Sequence, residues 1–274
     1  MPLKRRWGAP VIGGVPSQAA LDYHAAFELL QGNLERDLQR IWLEAQKYAG
    51  PQQRMFLTNV LWDLQQVYGG DAASLAVDLL GITREGKELP LWKAQAALLE
   101  QVDAAVGMAL AKPDSQALLN GAMQRLVMNA YRDTVIGSAI AAQRRFARVA
   151  EPNACSFCLM LASRGAVYLS KERASYVGAS AFTKHYSDGS ERGYRMKTGR
   201  VRGSRPRDSK FHDNCKCHVV EVKDESQLPE SSRWLMEAWG RATGDVDGMK
   251  GKQAAWSEWL KENSLPWESN PEAA

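Results

Sequence analysis

Hydrophobic residues in the first half of the chain recur every three or four positions, the spacing that places them on one face of an α-helix. The pattern begins after Ser17, a favourable helix N-cap residue, and continues through Phe27 and Leu38. It predicts one long amphipathic helix that ends at Gly50. The same spacing predicts four further helices, over 52–68, about 71–81, about 91–111 and from 114 to about 148.

Glycines and basic residues mark the predicted helix ends. We expect Gly69 and Gly70 to end the second helix, because glycine readily adopts the left-handed conformation that closes many helices. The fifth helix is expected to carry Arg144, Arg145 and Arg148 in its last turns. Cations there complement the negative end of the helix dipole, and contact with a polyanion is the alternative.

The helical pattern stops at 151–152, and the residues that follow differ in type. They include all four cysteines, two short β-like runs at 166–169 and about 218–222, and a stretch rich in Gly, Ser and Arg between these runs. A polar linker leads to two further helical candidates, 233–241 and 252–263, in a tail that holds five of the nine tryptophans. These tryptophans must be buried either on their own chain or on a partner.

These changes divide the chain into four parts. We predict a flexible arm over 1–16, a helical domain over 17–150, a small cysteine module over 151–224 and a Trp-rich helical tail over 225–274. The expected fold class is mainly α, with a small α+β module tied by Cys and His residues. The arm has a basic start and an apolar patch, but prolines and glycines interrupt the patch, so an export signal is not expected.

Composition excludes several classes of protein. With 274 residues, of which 45% are hydrophobic and 24% charged, the chain is close to the average for water-soluble globular proteins. No uncharged apolar run approaches the roughly 18 residues that cross a bilayer. The formal net charge of +4 is too small to require a nucleic-acid partner by itself.

Positive charge is nevertheless concentrated between Lys184 and Cys217. This stretch, the basic loop, holds ten basic and four acidic residues, a local net charge of +6. Such a loop is a candidate for sequence-independent contact with DNA phosphates or with an acidic protein surface. The candidate polyanion contacts are Arg192, Arg195, Lys197, Arg200, Arg202, Arg205, Arg207 and Lys210.

The four cysteines form two tight pairs, Cys155 with Cys158 and Cys215 with Cys217, and His212 lies three residues before the second pair. Thiolates and imidazole nitrogens are the usual ligands of tetrahedral zinc, so these five residues are candidate metal ligands. A site closed by four protein ligands would be structural, because it leaves no position open for water. Disulfides between the two segments, a redox pair at Cys155 and Cys158, and cysteines that stay as thiols are the alternatives.

The order of these motifs resembles the MuF-type phage head morphogenesis domain, a pattern also found in minor capsid proteins of actinobacterial tailed phages. The resemblance rests on a long helix, the CxxC segment CSFCLMLASRGAVY, a variable loop, and the HxxCxC segment FHDNCKCHVVEV that leads into a strand. The closing motif of that family commonly reads HPxCRC. Here the His and both Cys are kept, whereas Asp213 and Lys216 replace the proline and the arginine. Motif support covers about 125–222.

The resemblance implies a minor virion component that acts by protein contacts at the portal vertex during procapsid assembly. It implies a place in the head interior or at the portal vertex of the virion, and in the host cytoplasm during assembly. The implied partners are the portal protein, the scaffold protein and the major capsid protein. Packaged DNA is a further candidate partner, through the basic loop.

Two other functions are alternatives at this point. Proteins encoded at this position in phage genomes are sometimes described as capsid maturation proteases, but the chain lacks the HExxH and GxSxG motifs. His185 lies near Ser187 and Ser190, but a polar loop is a poor platform for a nucleophile and its base, so no catalytic residue is assigned. His24 is expected to be a packing or surface residue of its helix. The second alternative is a zinc-stabilised DNA-binding virion protein.

Overall fold

The computed structural model describes residues 17–150, 154–166 and 217–266, together with the backbone of 181–185 and 191–195. Helices dominate these residues, so the predicted mainly α fold class is confirmed. The division into four parts stays a prediction, and the arm over 1–16 lies outside the described residues. The elements are α1 Gln18–Ala45, α2 Gly50–Thr83, α3 Leu99–Leu110, α4 Ser115–Ala141, β1 Arg145–Val149, α5 Ser156–Ala162, β2 Ala181–His185, β3 Glu191–Arg195, β4 His218–Val222, a 3-10 turn at Glu225–Gln227, α6 Glu230–Thr243 and α7 Met249–Glu262.

The first helix follows its hydrophobic pattern closely. Ser17 is the N-cap of α1, because its Oγ accepts a hydrogen bond from the backbone N–H of Ala20 at 3.2 Å. The buried face of α1 includes Phe27, Leu34 and Leu38. This face packs against α2 and α4, so three long helices form the larger part of the core.

The predicted helix end at Gly69 and Gly70 is wrong, because α2 runs without interruption from Gly50 to Thr83. Gly69 serves close packing instead: a Cβ built at this position would lie 3.0 Å from the Cβ of Ala96. A Cβ added at Gly70 would meet no atom within 4 Å. A glycine that permits close approach of two segments gives the same sequence signal as one that ends a helix.

The helix predicted over 91–111 begins only at Leu99. The residues before it are held on α4 by side-chain hydrogen bonds. The backbone N–H of Trp92 donates to Ser138 Oγ at 2.8 Å, and that of Ala94 donates to Thr134 Oγ1 at 3.0 Å. These hydroxyls bond backbone N–H groups that would otherwise need partners within a helix. The segment can therefore stay non-helical without leaving these groups unpaired.

The fifth predicted helix is also too long, because α4 ends at Ala141 and the following residues form β1. Gln143 adopts a left-handed φ of 54°. The N–H of Gln143 donates to the carbonyl oxygen of Ile140, and the N–H of Arg144 donates to that of Ala139 at 2.8 Å. This pair of bonds is the Schellman closure of a helix, and the reversal directs the chain into a strand. The three arginines expected in the last helical turns therefore lie beyond the helix.

The strands form two antiparallel pairs. In the first, β1 pairs with β4, with Arg145 opposite Val222 and Val149 opposite His218. All five residues of β4 are buried, and the β-like run predicted at 218–222 is confirmed. In the second pair, β2 lies against β3. The β-like run at 166–169 lies outside the described residues apart from its first position.

The tail forms two helices, α6 and α7, which confirm both helical candidates with somewhat wider bounds. Trp256 of α7 is 1% exposed, and its ring stacks on that of Trp259 with centroids 5.5 Å apart. Its Nε1–H donates to the carbonyl oxygen of Ser156 in α5 at 3.1 Å. The tail thus buries this tryptophan on its own chain, and Trp267 lies outside the described residues. No helix of the described part is both long and apolar enough to cross a membrane.

Candidate functional site

The first cysteine pair lies at the start of the short helix α5. Cys155 is the N-cap residue, with an extended backbone, and its side chain is exposed. Cys158 lies three residues later and is 3% exposed. Leu159, Met160 and Leu161, which follow it, are also buried, so packing against the core holds this segment in place.

The second cysteine segment enters the fold at Cys217, directly before β4. Cys217 is buried, and its carbonyl oxygen accepts two hydrogen bonds from the side chain of Arg132, from Nε at 2.9 Å and from Nη2 at 2.7 Å. Arg132 lies in α4 and is fully buried. A guanidinium that donates twice to one carbonyl positions that backbone group firmly.

Two residues further, a pair of tyrosines contacts the backbone of β4. Tyr131 Oη donates to the carbonyl oxygen of Val219 at 2.9 Å, and Tyr23 Oη donates to Tyr131 Oη at 2.6 Å. The carbonyl oxygens of Cys217 and Val219 are therefore both bonded by side chains of α4, and Tyr23 of α1 supports this arrangement through Tyr131.

His218, the histidine that directly follows the second cysteine pair, is fully buried among aromatic rings. Its ring centroid lies 5.2 Å from that of Phe27 and 6.3 Å from that of Tyr131. His24 of α1 is also fully buried, 6.1 Å from His218 between ring centroids. Of the two roles expected for His24, packing or surface, the structure shows packing, and its neighbour is the histidine at the end of the cysteine motif.

Towards the end of β4, Glu221 is fully buried between two arginines. Arg84, just beyond α2, contacts it through Nη2 at 2.6 Å and Nε at 2.9 Å. Arg144 Nε lies 3.3 Å from Glu221 Oε1. Arg144 thus contributes to a buried ion-pair network, whereas Arg148 of β1 is itself buried and Arg145 is exposed.

The predicted zinc ligands are only partly within the described residues. Cys155, Cys158 and Cys217 are described, whereas His212 and Cys215 are not. Within the described ranges, no three His, Cys, Asp or Glu side chains come together in a group that could hold a metal ion. The zinc site therefore stays a prediction.

The basic loop and the Ser/His candidates also fall largely outside the described part of the chain. Arg192 and Arg195 lie in β3 and His185 in β2, of which only the backbone is described. The other candidate polyanion contacts and both serines lie outside these ranges: Lys197, Arg200, Arg202, Arg205, Arg207, Lys210, Ser187 and Ser190.

Several residues that hold the cysteine segments were missed from the sequence. Arg132 and Tyr131 position the start of β4, and Arg84 pairs with Glu221. A signal existed for Arg132, because it lies at helical spacing from the apolar residues Met128, Val135 and Ile136. Charged residues are almost never fully buried unless their groups are satisfied. Arg84 follows a predicted helix end, where its partner could not be read from local sequence.

A shallow apolar cleft of about 500 Å³ lies at the turn between α1 and α2. It is lined by Tyr48, Gln52, Met55, Phe56, Asn59 and Val60. The rings of Tyr48 and Phe56 stack with centroids 4.9 Å apart, and Met55 is 63% exposed. Leu43, near the end of α1, is 69% exposed.

The described geometry defines a class of protein: a mainly α chain in which a buried strand carries a cysteine motif into a helical core. The family model of the VG15 protein matches residues 15–241, which is most of the chain. The chain belongs to this family, a family of viral gene products, and the membership points to a phage protein. No curated protein matches the chain, and no solved structure matches it.

Proposed function

We propose that this protein is a minor capsid or head morphogenesis protein of a tailed bacteriophage. It acts by protein–protein contacts at the portal vertex during procapsid assembly, with the portal, scaffold or major capsid protein as its partner. The observation that carries the proposal is that the family match, 15–241, spans both cysteine motifs of the MuF-type resemblance in one continuous segment. Membership in a phage family and the order of those motifs support the same conclusion independently.

The surface of the helical half supports an assembly function. Leu43, Met55 and Val67 are each more than 60% exposed, and Leu29 and Met108 are similarly exposed. Apolar side chains scattered singly are ordinary on protein surfaces, whereas contiguous ones mark contact sites, so the cleft lined by Tyr48, Met55 and Phe56 is the candidate contact surface. These side chains supply contact area for assembly without requiring any catalytic group.

We further propose that zinc ties the two cysteine segments together as a structural ion. Its ligands would come from Cys155, Cys158, His212, Cys215 and Cys217. The donor set has the chemistry that zinc prefers, and the described part of it is well anchored, by the packing of α5 and by the bonds from Arg132 to Cys217. When bound, the ion would supply stability to the segment and no reactive position.

The basic loop would contact either an acidic protein surface or packaged DNA. The net charge of +6 between Lys184 and Cys217 supports such a contact. Contacts with phosphates weaken steeply as salt concentration rises. A gel-shift titration of the full chain on duplex and single-stranded DNA tests the DNA contact, and absence of binding at low salt would leave an acidic protein surface as the partner.

The main experiment measures incorporation into phage particles. A tagged wild-type chain, the double variant Cys155→Ser and Cys215→Ser, and the control Lys112→Ala are each supplied during infection by a phage that lacks the gene. We expect wild type and control to appear in purified procapsids in few copies and to co-purify with the portal. The double variant should remain soluble and helical yet be lost from particles.

If procapsids form normally without the protein, and neither wild type nor variant co-purifies with any head protein, the assembly function is wrong. Metal analysis of the purified wild-type chain separates the zinc proposal from the assembly proposal. About one zinc per chain, released with four reactive thiols, is expected, and a metal-free chain would remove zinc alone.

A further inference from the structure

Helix α7, Met249–Glu262, packs on α5 and on α6. Its single buried residue is Trp256. The Trp256 Nε1–H donates to Ser156 at the start of α5, and Gln253 Nε2 lies 3.7 Å from Met160 Sδ on the same helix. Since Ser156 and Met160 are four residues apart, α7 covers one continuous face of α5.

Helix α5 depends on such contacts for its structure. It has only seven residues, and its N-cap Cys155 makes no side-chain capping bond. Helices of this length are unstable by themselves in water, so packing must hold α5 in place. Its neighbours include β1 and the tail helices α6 and α7. At the far end, the side chain of Met236 from α6 packs against Gly165, where an added Cβ would lie 2.8 Å from the Met236 Sδ.

The sequence of α7 makes it a weak helix when it is not docked. Its N-cap is Gly248, which offers no side-chain acceptor and has a φ of 72°. Its first turn contains no acidic residue, and Lys250 and Lys252 lie near the positive end of the helix dipole. Gly251 lowers the helix propensity further.

A short connection joins α7 to α6, and the two helices also pack on each other, with ring centroids 5.5 Å apart for Trp239 and Trp256 and 5.8 Å apart for Trp234 and Trp259. Helix α6 ends at Thr243, and the five residues 244–248 begin and end with glycine. The family match ends at residue 241, before this connection. Helix α7 therefore lies outside the matched segment, whereas the Cys155–Cys158 segment that it covers lies inside it.

From these contacts we infer that α7 is a detachable strap whose docking through Trp256 controls the exposure of Cys158. When α7 is docked, α5 is ordered and Cys158 is buried. When α7 opens, α5 loses support on one face, and its local unfolding exposes the Cys158 thiol. The inference concerns the fold itself, and alkylation of Cys158 is measured after treatment with a chelator, because zinc bound to Cys158 would protect the thiol whether or not α7 is docked.

Hydrogen–deuterium exchange and thiol alkylation test this coupling on the full chain. Trp256→Ala should release α7 and raise both amide exchange in 155–162 and alkylation of Cys158 by N-ethylmaleimide, roughly tenfold or more, because a buried tryptophan is lost. Trp256→Phe should act in the same direction with a smaller effect, since only the indole donor and part of the ring are removed. Trp92→Ala, which removes a half-exposed tryptophan that packs on α4, is the matched control and should leave α5 unchanged.

A stabilising variant distinguishes a specific effect of α7 on α5 from a general loss of folding. Lys250→Glu places an acidic residue in the first turn of α7 and should slow exchange in α5 and alkylation of Cys158 by about twofold to fivefold. The inference is overturned if Trp256→Ala gives rapid exchange in 249–262 while α5 and Cys158 keep wild-type protection. It is equally overturned if Lys250→Glu slows exchange in α7 and has no effect on α5.

Discussion

Arg84 Nη2 lies 2.6 Å from Glu221 Oε2, and the two side chains, 137 residues apart in sequence, are 4% and 0% exposed. Arg84 also donates to the carbonyl oxygens of Leu89, Pro90 and Ser138. One guanidinium therefore connects the end of α2, the segment that follows it, α4 and β4. Because β4 follows directly from Cys217, this pair helps to hold the cysteine motif on the helical core.

Breaking this buried pair should be costly. We expect Arg84→Met to lower the free energy of unfolding by about 3–5 kcal/mol, because Glu221 then stays buried with only Arg144 beside it. Urea denaturation followed by circular dichroism measures the change. The control Arg54→Ala breaks the exposed ion pair with Asp103 and should lower the free energy of unfolding far less, because water and salt screen that pair. Equal losses in the two variants would contradict the importance of burial.

Adjacent glycines in α2 should respond in opposite directions to the same substitution. Gly69→Ala should destabilise by about 1–3 kcal/mol, because the added Cβ would lie 3.0 Å from Ala96 Cβ and 3.3 Å from its Cα. Gly70→Ala meets no atom within 4 Å and should stabilise by about 0.5–1 kcal/mol through helix propensity. Thermal or urea melts of the two variants side by side check the sign, and a stabilising Gly69→Ala would refute the close contact.

The left-handed residue that closes α4 offers a stabilising substitution. Gln143 is exposed and has a φ of 54°, a conformation that costs energy for residues with a Cβ. Gln143→Gly should raise the free energy of unfolding by about 0.5–1 kcal/mol, and Gln143→Val should lower it. Denaturant midpoints of the three proteins decide the question. If the glycine variant is the least stable, the helix does not end in this way.

Tyr68 should make stability depend on pH in the alkaline range. Partial burial, followed by the hydrogen bond that Tyr68 Oη donates to Asp37 at 2.6 Å, raises the pKa of Tyr68 from 10.0 to about 12. Because the folded-state pKa is the higher one, the stabilisation is complete below pH 10 and is lost as the pH rises towards 12. Between pH 10 and 11, wild type should lose stability more steeply than Tyr68→Phe in urea titrations. Parallel pH profiles for the two proteins would rule out this contribution.

Local pattern was sufficient for those parts of the fold that depend on short-range interactions. The Ser17 cap, the buried face of α1 and the tail helices follow from hydrophobic spacing and capping chemistry, which act over a few residues. The strand at 218–222 was also recognised, since a run of valines favours an extended conformation.

Three of the predictions from the sequence are wrong for the same physical reason. The unbroken α2 at Gly69, the non-helical segment before Leu99 and the strand β1 all depend on partners distant in sequence. Ala96 approaches Gly69, Ser138 accepts from the backbone of Trp92, and β4 pairs with β1 from more than sixty residues away. Such contacts override local propensity, because satisfied backbone groups and dense packing contribute more than propensity does.

In the candidate site, too, some features follow from the sequence and others depend on contacts between distant residues. The sequence alone determined the order and spacing of two cysteine pairs and a histidine, whose donor chemistry suits zinc. Only the tertiary structure decided that Arg132 holds the carbonyl of Cys217, that Glu221 is neutralised by arginines from two other elements, and that Trp256 from the tail supports the segment of Cys155 and Cys158. The reason is that ligand chemistry is a property of side chains, whereas burial and hydrogen-bond partners exist only after the chain has folded.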